Sequence, residues 1–276
     1  MLCSGRESAI YRDDMTNKRL GLPLEYKKLP EFFDAHNIGD DTELKNSVIE
    51  KSLKKHGIKT VLDLTCGTGS QVLFLAKKGY EVVGSDFSPD LLKIARKKAK
   101  EAKLNLRFID GDMRTIKVGK FDAAITMFNA IGHLTKSGFE KAIKNIGSNL
   151  KDGGIYVFDI FNLEALSDEV VSNFSMYKHK KVGDTQLHSV QCSTIDRKNG
   201  FLTSYDHHIL QKKAEEPTRI NNKFSLQIYS AKELKEMLAR CGFKIIEQYD
   251  IDGSKFLTKK SISILTIAQK IGKNER

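Results

Sequence analysis

The stretch Val61-Leu62-Asp63-Leu64-Thr65-Cys66-Gly67-Thr68-Gly69-Ser70 decides the fold. An apolar run ends on Asp63, a turn with two glycines follows, and Gln71-Val72-Leu73-Phe74-Leu75-Ala76 continues with helical spacing. A second apolar run, Val82-Val83-Gly84-Ser85, ends on Asp86. The order is strand, tight turn, helix, strand, with a carboxylate closing each strand. Gly67 and Gly69 let the backbone turn sharply and approach a ligand where a Cβ would collide. Asp86, roughly 20 residues past the turn, stands where a ribose diol can donate to it. The unit is expected to hold an adenosine-containing cofactor.

A dinucleotide-binding turn needs a third glycine for close helix–strand packing, and this chain has Val72 there. The acid before the loop gives instead the pattern D-x-x-C-G-T-G, from Asp63 to Gly69. It resembles the first motif of the class I, Rossmann-like, S-adenosylmethionine-dependent methyltransferases. The resemblance implies S-adenosyl-L-methionine as cofactor and S-adenosyl-L-homocysteine as product. That cofactor has no pyrophosphate, and an acid near the loop suits its ammonium and sulfonium. The cofactor contacts expected on this reading are Asp63, Cys66, Gly67, Thr68, Gly69, Asp86, Phe87, Asp112, Met113 and Met127.

Further along, Thr60–Leu64, Glu81–Ser85, Leu104–Ile109, Phe121–Met127 and Ile155–Ile160 read as strands. The helices expected between them are Gly69–Lys78, Pro89–Ala102 and Gly138–Leu150, with Ser88 capping the second. Helices are also expected over Tyr26–Ala35 and from Asp41 to His56, the latter stopped by Gly57. Such alternation implies an α/β fold with a doubly wound, mostly parallel, seven-stranded sheet, and ligands outside the carboxyl ends of its strands. After Ile160 come extended segments at Phe174–Lys181, Gln186–Asp196, Phe201–Gln211 and Lys223–Tyr229, an antiparallel β ribbon inserted after the fifth strand. A helix over Ala231–Arg240, capped by Ser230, and two strands over Phe243–Tyr249 and Ser261–Ala268 finish the chain. The expected organisation is a helical cap over 1–57, a cofactor-binding domain over 58–162 and 230–270, and an acceptor lid over 163–229.

Asp112, at the end of the third strand, is placed to accept from an adenine amino group, with Met113 offering a polarizable face. The fourth strand ends near Met127, so Phe128 and Asn129 stand beside the methyl donor and His133 follows in the next turn. Asn129 can orient a polar substrate group through its carbonyl and amide, and His133 can take a proton from an amine. Tyr26 and Phe33 are expected beside Phe128 and Asn129 at the acceptor.

The segments Gly111-Asp112-Met113-Arg114, Phe128-Asn129-Ala130-Ile131-Gly132-His133-Leu134 and Gly153-Gly154-Ile155-Tyr156-Val157-Phe158-Asp159 extend the resemblance. With the glycine loop and the ribbon they are similar to glycine N-methyltransferases and amino-sugar N,N-dimethyltransferases. The similarity covers about residues 25 to 270, most specifically 59 to 160. In the glycine enzymes Gly-Asn-Ser-Phe-Ala-His-Leu stands at the position of Phe128–Leu134, and its Asn contacts substrate; Asn129 inherits that role. Those enzymes carry His-Arg-Asn where this chain has Ile160-Phe161-Asn162, and Phe161 cannot pair with a carboxylate. The resemblance therefore points to N-methylation of a small amine other than glycine, with Lys45 a candidate partner for the cofactor carboxylate.

Apolar content of 40% and charged content of 29% are those of a soluble globular protein. No apolar run approaches the roughly 20 residues of a membrane span, and the first residues lack the apolar core of a secretory signal. Cys3, Cys66, Cys192 and Cys241 show neither metal nor disulfide spacing, nor do His179, His188, His207 and His208 form a metal motif. A cytoplasmic enzyme without a metal, acting on a small-molecule acceptor, is expected; homo-oligomerisation is left open. The net charge of +11 raises nucleic acid as a partner. Its lysines are spread over helix faces such as Lys93–Lys103 without interleaved aromatics to stack bases, which argues against one. An RNA or tRNA methyltransferase and a non-catalytic cofactor-binding regulatory subunit are the alternatives.

Overall fold

Successive residues on a strand face opposite ways, so short apolar runs feed two cores at once. The computed structural model describes residues 20–174 and 176–272; Cys3 and the rest of the first 19 residues of the expected cap lie outside them. Two helices, α1 (Phe33–Asn37) and α2 (Thr42–Lys55), precede β1 (Thr60–Asp63). There follow α3 (Ser70–Lys77), β2 (Glu81–Asp86), α4 (Pro89–Glu101), β3 (Arg107–Asp110), β4 (Phe121–Thr126), α5 (Lys136–Asn149) and β5 (Leu150–Phe161). After α6 (Asp168–Ser172) come β6 (Met176–Val182), β7 (Thr185–Asp196), β8 (Phe201–Lys212) and β9 (Thr218–Gln227). The chain closes with α7 (Ala231–Arg240), β10 (Phe243–Tyr249) and β11 (Ser263–Lys270).

Seven strands form one sheet in the order β10-β11-β5-β4-β1-β2-β3, and β6 to β9 form a separate sheet in chain order. The first five strands pair in parallel, while β11 runs antiparallel to both β5 and β10. Strand order reverses between β1 and β4, which opens a crevice at their carboxyl ends. Val61, Ala123 and Val157 face one core, with Ile49, Val72, Leu75, Leu92 and Ala95 of α2, α3 and α4. Leu62, Ala124 and Phe158 face the other, with Phe139, Ile143 and Leu238 of α5 and α7. The doubly wound sheet and the inserted antiparallel sheet are those read from the sequence.

Most helix ends follow the local chemistry. Ser88 Oγ accepts the Leu91 N–H at 3.4 Å, and Ser230 with Glu233 forms a reciprocal capping box. Thr135 Oγ1 accepts the Gly138 N–H at 3.1 Å, so α5 begins at Lys136, two residues before its expected start.

The helix expected over Tyr26–Ala35 is instead two 3₁₀ turns, Leu24–Tyr26 and Pro30–Phe32, leading into α1. Pro30 is the reason. It has no N–H to give, and its ring drives Leu29 out of the helical region, to φ −133° and ψ 52°. β9 starts five residues before the expected Lys223, because pairing with β8 carries Thr218–Asn222 into the ladder without an apolar alternation. β5 begins at Leu150, with a register shift near Gly153 at φ +72°. The short α6, capped by Ser167, had no apolar period to announce it.

Candidate active site

Three strands of the main sheet end on or beside a buried carboxylate: Asp63, Asp86 and Asp159. Asp63 Oδ1 accepts the Thr65 N–H at 3.1 Å. Asp86 accepts the N–H of Gly67 at 2.8 Å and of Ser88 at 2.9 Å, which ties the glycine loop to the start of α4. Asp159 Oδ2 accepts the Asn129 N–H at 3.1 Å, while its Oδ1 is buried without a partner. Burial pushes the carboxyl of Asp63 up to about 7 and those of Asp86 and Asp159 up to about 6. A carboxylate raised in this way carries charge that its surroundings do not compensate. Asp63 and Asp86 also repel each other, while the Asn129 N–H and the Lys45 charge oppose part of the rise at Asp159. The edge fits a ligand that brings positive charge and hydrogen-bond donors, as S-adenosylmethionine does.

The loop between Asp63 and α3 takes the left-handed region at Gly67 (φ +50°) and Gly69 (φ +86°). A Cβ at Gly69 would lie 2.9 Å from Leu73 Cδ1 and 3.2 Å from Ala95 Cβ, in a backbone conformation that residues with a Cβ rarely adopt. Cys66 is buried behind the loop, and burial pushes its thiol well up, which makes it inert packing rather than a nucleophile.

The N-terminal segment lies on this loop. Phe33 places its ring 3.0 Å from where a Gly67 Cβ would be. Thr68 Oγ1 donates to Asp34 Oδ1 at 2.5 Å, Lys98 of α4 pairs with the same carboxylate, and Ser88 Oγ donates to the Tyr26 carbonyl at 2.8 Å. Tyr26 joins Phe33 edge-on at 5.4 Å, Phe87 in parallel at 6.0 Å and His133 at 5.2 Å. Tyr26, Phe33 and Phe87 are thus one aromatic cover over the glycine loop.

Beyond β4, Phe128 (φ +59°) and Asn129 (φ +57°) are two consecutive left-handed residues without a glycine. The side chain of Asn129 holds that turn: Oδ1 accepts the Phe161 N–H at 3.0 Å. The carbonyl expected to face a substrate thus already accepts one bond, from β5. Phe128 lies beneath Lys45 Nζ, 5.8 Å from the ring centroid, and Lys45 pairs with Asp41 at 2.6 Å. Met127 is buried in the core beside Phe128.

His133 sits between Tyr26 and Phe224 of β9, with Nδ1 buried and unpartnered. Burial pushes it down to about 4, against a small opposing pull from Glu25, so it is neutral at physiological pH.

At the third strand, Asp112 faces Arg114: Nε donates to both carboxylate oxygens at 2.9 Å, and the Arg114 N–H donates to Oδ1 at 2.8 Å. That ion pair holds the Asp112 carboxyl below its ordinary value and competes with the expected adenine contact. Met113 packs into the core with Phe139 and Ile143, its carbonyl accepting from Asn145 Nδ2 at 3.0 Å.

The sequence reading left Asp159, Glu25 and Asp34 without a role. Asp159 carried the same signal as Asp63 and Asp86, an acid at the end of an apolar run.

A family model described as a methyltransferase domain matches residues 61–154. The putative methyltransferase YqeM of Bacillus subtilis is 29% identical over 208 residues, 71% of this chain and 77% of its own length. A glycine/sarcosine N-methyltransferase of Parasynechococcus marenigrum is 36% identical over 118 residues, 41% of this chain but 42% of that enzyme. Among solved structures, an S-adenosylmethionine-dependent methyltransferase from Clostridium acetobutylicum superposes with a TM-score of 0.73. It is 20% identical, covering 90% of this chain and 99% of that one, a likeness of fold. No helix among the described residues is long and apolar enough to cross a membrane.

Proposed function

We propose that this chain, which belongs to the S-adenosylmethionine-dependent methyltransferases, methylates the nitrogen of a small amine. One observation carries the reading. A neutral imidazole with an unpartnered buried nitrogen, His133, packs against Tyr26, whose ring also stacks on Phe87 beside the buried Asp86. N-methyltransferases among the relatives support the same choice. Asp63, Asp86 and Asp159 would hold the cationic and ribose ends of the cofactor. Gly67, Thr68 and Gly69 would give the close approach, with Phe87 at the adenine and Lys45 as the cation for its carboxylate. When bound, the cofactor supplies a methyl group that its sulfonium makes electrophilic.

The chain's own contribution is alignment and dryness. Tyr26, Phe33 and Phe87 cover the glycine loop, and excluding water strengthens every polar contact beneath them. Holding two reactants in line contributes roughly 7–11 kcal/mol of barrier lowering without covalent catalysis. The experiment is to incubate the protein with a metabolite pool and methyl-labelled S-adenosylmethionine and to identify the labelled product by mass. An N-methylamine is expected; a labelled ether, ester or RNA refutes the reading.

The role of His133 changes with its environment. Moving a proton from an alkylammonium titrating near 10.4 to an imidazole at about 4 is uphill by roughly 9 kcal/mol. His133 is therefore no general base for an ammonium. It aligns an amine that enters neutral, by accepting a hydrogen bond. His133→Ala should lower turnover about tenfold by the same factor at pH 6 and at pH 9. A loss confined to the acid side in the pH–rate profile would restore the base role.

The N-terminal segment and residues 163–229 together act as the lid. Phe33 stands on Gly67, so the segment held by Asp34 and Tyr26 must open for a ligand to reach the loop and then closes over it. Hydrogen exchange over residues 20–37 and 165–229 should be slowed by S-adenosylhomocysteine. Protection unchanged by ligand in both segments rules the lid out.

A further inference from the structure

The positive charge of the chain is answered by acids on one side and not on another. On α4, Lys93 pairs with Asp90, Lys97 with Glu101, and Lys98 with Asp34 of the N-terminal segment. The surface around α5 differs. A cleft of about 680 Å³ at the amino ends of β4 and β5 is lined by Lys120, Lys144, Arg240 and Lys270. A second, of about 480 Å³, is lined by Arg114, Lys117, Lys141 and again Lys144. The two clefts therefore meet on α5.

Three of these cations have acids beside them: Arg114 pairs with Asp112, Arg240 with Glu140 and Lys270 with Asp152. Among the described residues, Lys117, Lys120, Lys141 and Lys144 form no ion pair. Lys120 Nζ donates to the Ser148 carbonyl at 2.7 Å and Lys117 Nζ to Ser148 Oγ. Those bonds offset the negative end of α5 but use only one of the three donors on each ammonium. Phe139, Ala142, Ile143 and Ile146 turn α5 toward the core, which leaves Lys141 and Lys144 exposed one turn apart. Like charges at that spacing repel each other, and a bound polyanion removes the repulsion.

The lining chemistry selects the partner. No large exposed apolar side chain lines either cleft. The surface thus has neither the apolar centre of a protein interface nor the apolar anchor of a membrane contact. Phe243, the aromatic ring at the larger cleft, is buried in the core, so bases find nothing to stack on. What remains is a set of ammonium groups along two connected hollows, which suits phosphates following one another on a flexible strand. A stiff duplex would ride on the crest of α5 without entering the clefts.

We infer that the paired clefts on α5 dock the phosphate backbone of a single-stranded nucleic acid without reading its bases. The lysines of α4 argued against nucleic acid from the sequence; those around α5 differ because no acid neutralises them. The larger cleft lies across the sheet from the carboxyl ends that carry Asp63, Asp86 and Asp159. A strand held there is a tether rather than a methyl acceptor, and N-methylation of a small amine stands apart from it.

The test is fluorescence anisotropy of a labelled twelve-residue oligouridylate with the full chain across a salt series. Four unpaired lysines on a single strand give a slope of log affinity against log salt of about −3, or about a 50-fold loss between 50 and 200 mM. Oligoadenylate should bind within about threefold of oligouridylate. Lys144→Gln and Lys141→Gln, exposed changes that spare the core, should each reduce the slope by about 0.7. Lys97→Gln removes the same charge from α4 and should leave the slope unchanged. Equal effects of all three substitutions would reduce the binding to net charge alone and overturn the site. A tenfold base preference, tighter binding of duplex than of strand, or binding confined to phosphatidylserine vesicles overturns it too. So does the absence of strand binding at 50 mM salt.

Discussion

Lowering the pH from 8 to 5 should weaken S-adenosylhomocysteine binding about 100-fold or more. The cause is the carboxylate edge. Without ligand, burial holds Asp63 at about 7 and Asp86 and Asp159 at about 6. An ammonium bound nearby favours the ionised carboxylates and lowers these values, so binding at pH 5 to 7 must expel protons. One carboxylate at about 7 contributes a factor of about 100 at pH 5, and the others add to it. S-adenosylmethionine, with its sulfonium, should show the steeper dependence. The sign for stability is opposite. A carboxyl raised above its unfolded value near 3.9 favours the folded state most at low pH and loses that contribution as pH rises toward 7. The thermal shift given by the ligand should therefore grow from pH 5 to pH 8. Titration calorimetry in buffers of different ionisation enthalpy reads the protons directly. Asp86→Ala should remove part of the release and weaken binding at pH 8 by about 1–3 kcal/mol, the cost of leaving the donors of a bound ribose without an acceptor; the Gly67 and Ser88 N–H groups lose theirs as well, which lowers the stability of the loop. An affinity flat across this range, or tight NAD binding with no response to S-adenosylhomocysteine, contradicts the assignment of the edge.

Those three carboxylates also mark how far the sequence could be read. The order of strands and helices in the main sheet was legible because each apolar run is short, bounded by Gly, Pro or a capping Ser, and ended at a polar residue. Asp63 and Asp86 stood out by their spacing from Gly67 and Gly69. What the sequence hid was tertiary. Nothing in the spacing showed that Phe33 and Asp34 would lie on the glycine loop, since Pro30 breaks the expected helix into turns. Burial of Asp206 and His208 of β8 depends on which face of the inserted sheet meets the N-terminal segment. The desolvation of His133 depends on Tyr26 and Phe224, which are far from it in the chain. Local pattern fixes where a residue sits on its own element; it does not carry what another element places against it.

Asn129 gives the sharpest test of that distinction. Read from the sequence, Asn129→Ala should mainly impair acceptor use and leave cofactor affinity nearly intact. The structure adds a second burden, because the Asn129 side chain accepts the Phe161 N–H and its backbone is left-handed. Alanine costs roughly 1–2 kcal/mol in that region, and leaving the Phe161 N–H without its acceptor costs about 1–3 kcal/mol more. Denaturant unfolding should show Asn129→Ala less stable by about 2–5 kcal/mol. Asn129→Gly relieves the backbone and keeps only the hydrogen-bond loss, so it should be the more stable of the two by about 1 kcal/mol. Turnover separates the roles. If Asn129 also orients the acceptor through its amide, both variants lose acceptor turnover alike, although glycine restores part of the stability. If turnover instead follows stability, recovering in Asn129→Gly, the residue acts through the turn alone and contacts no substrate. A variant as stable as the parent would mean that the Phe161 bond and the left-handed turn do not depend on this side chain.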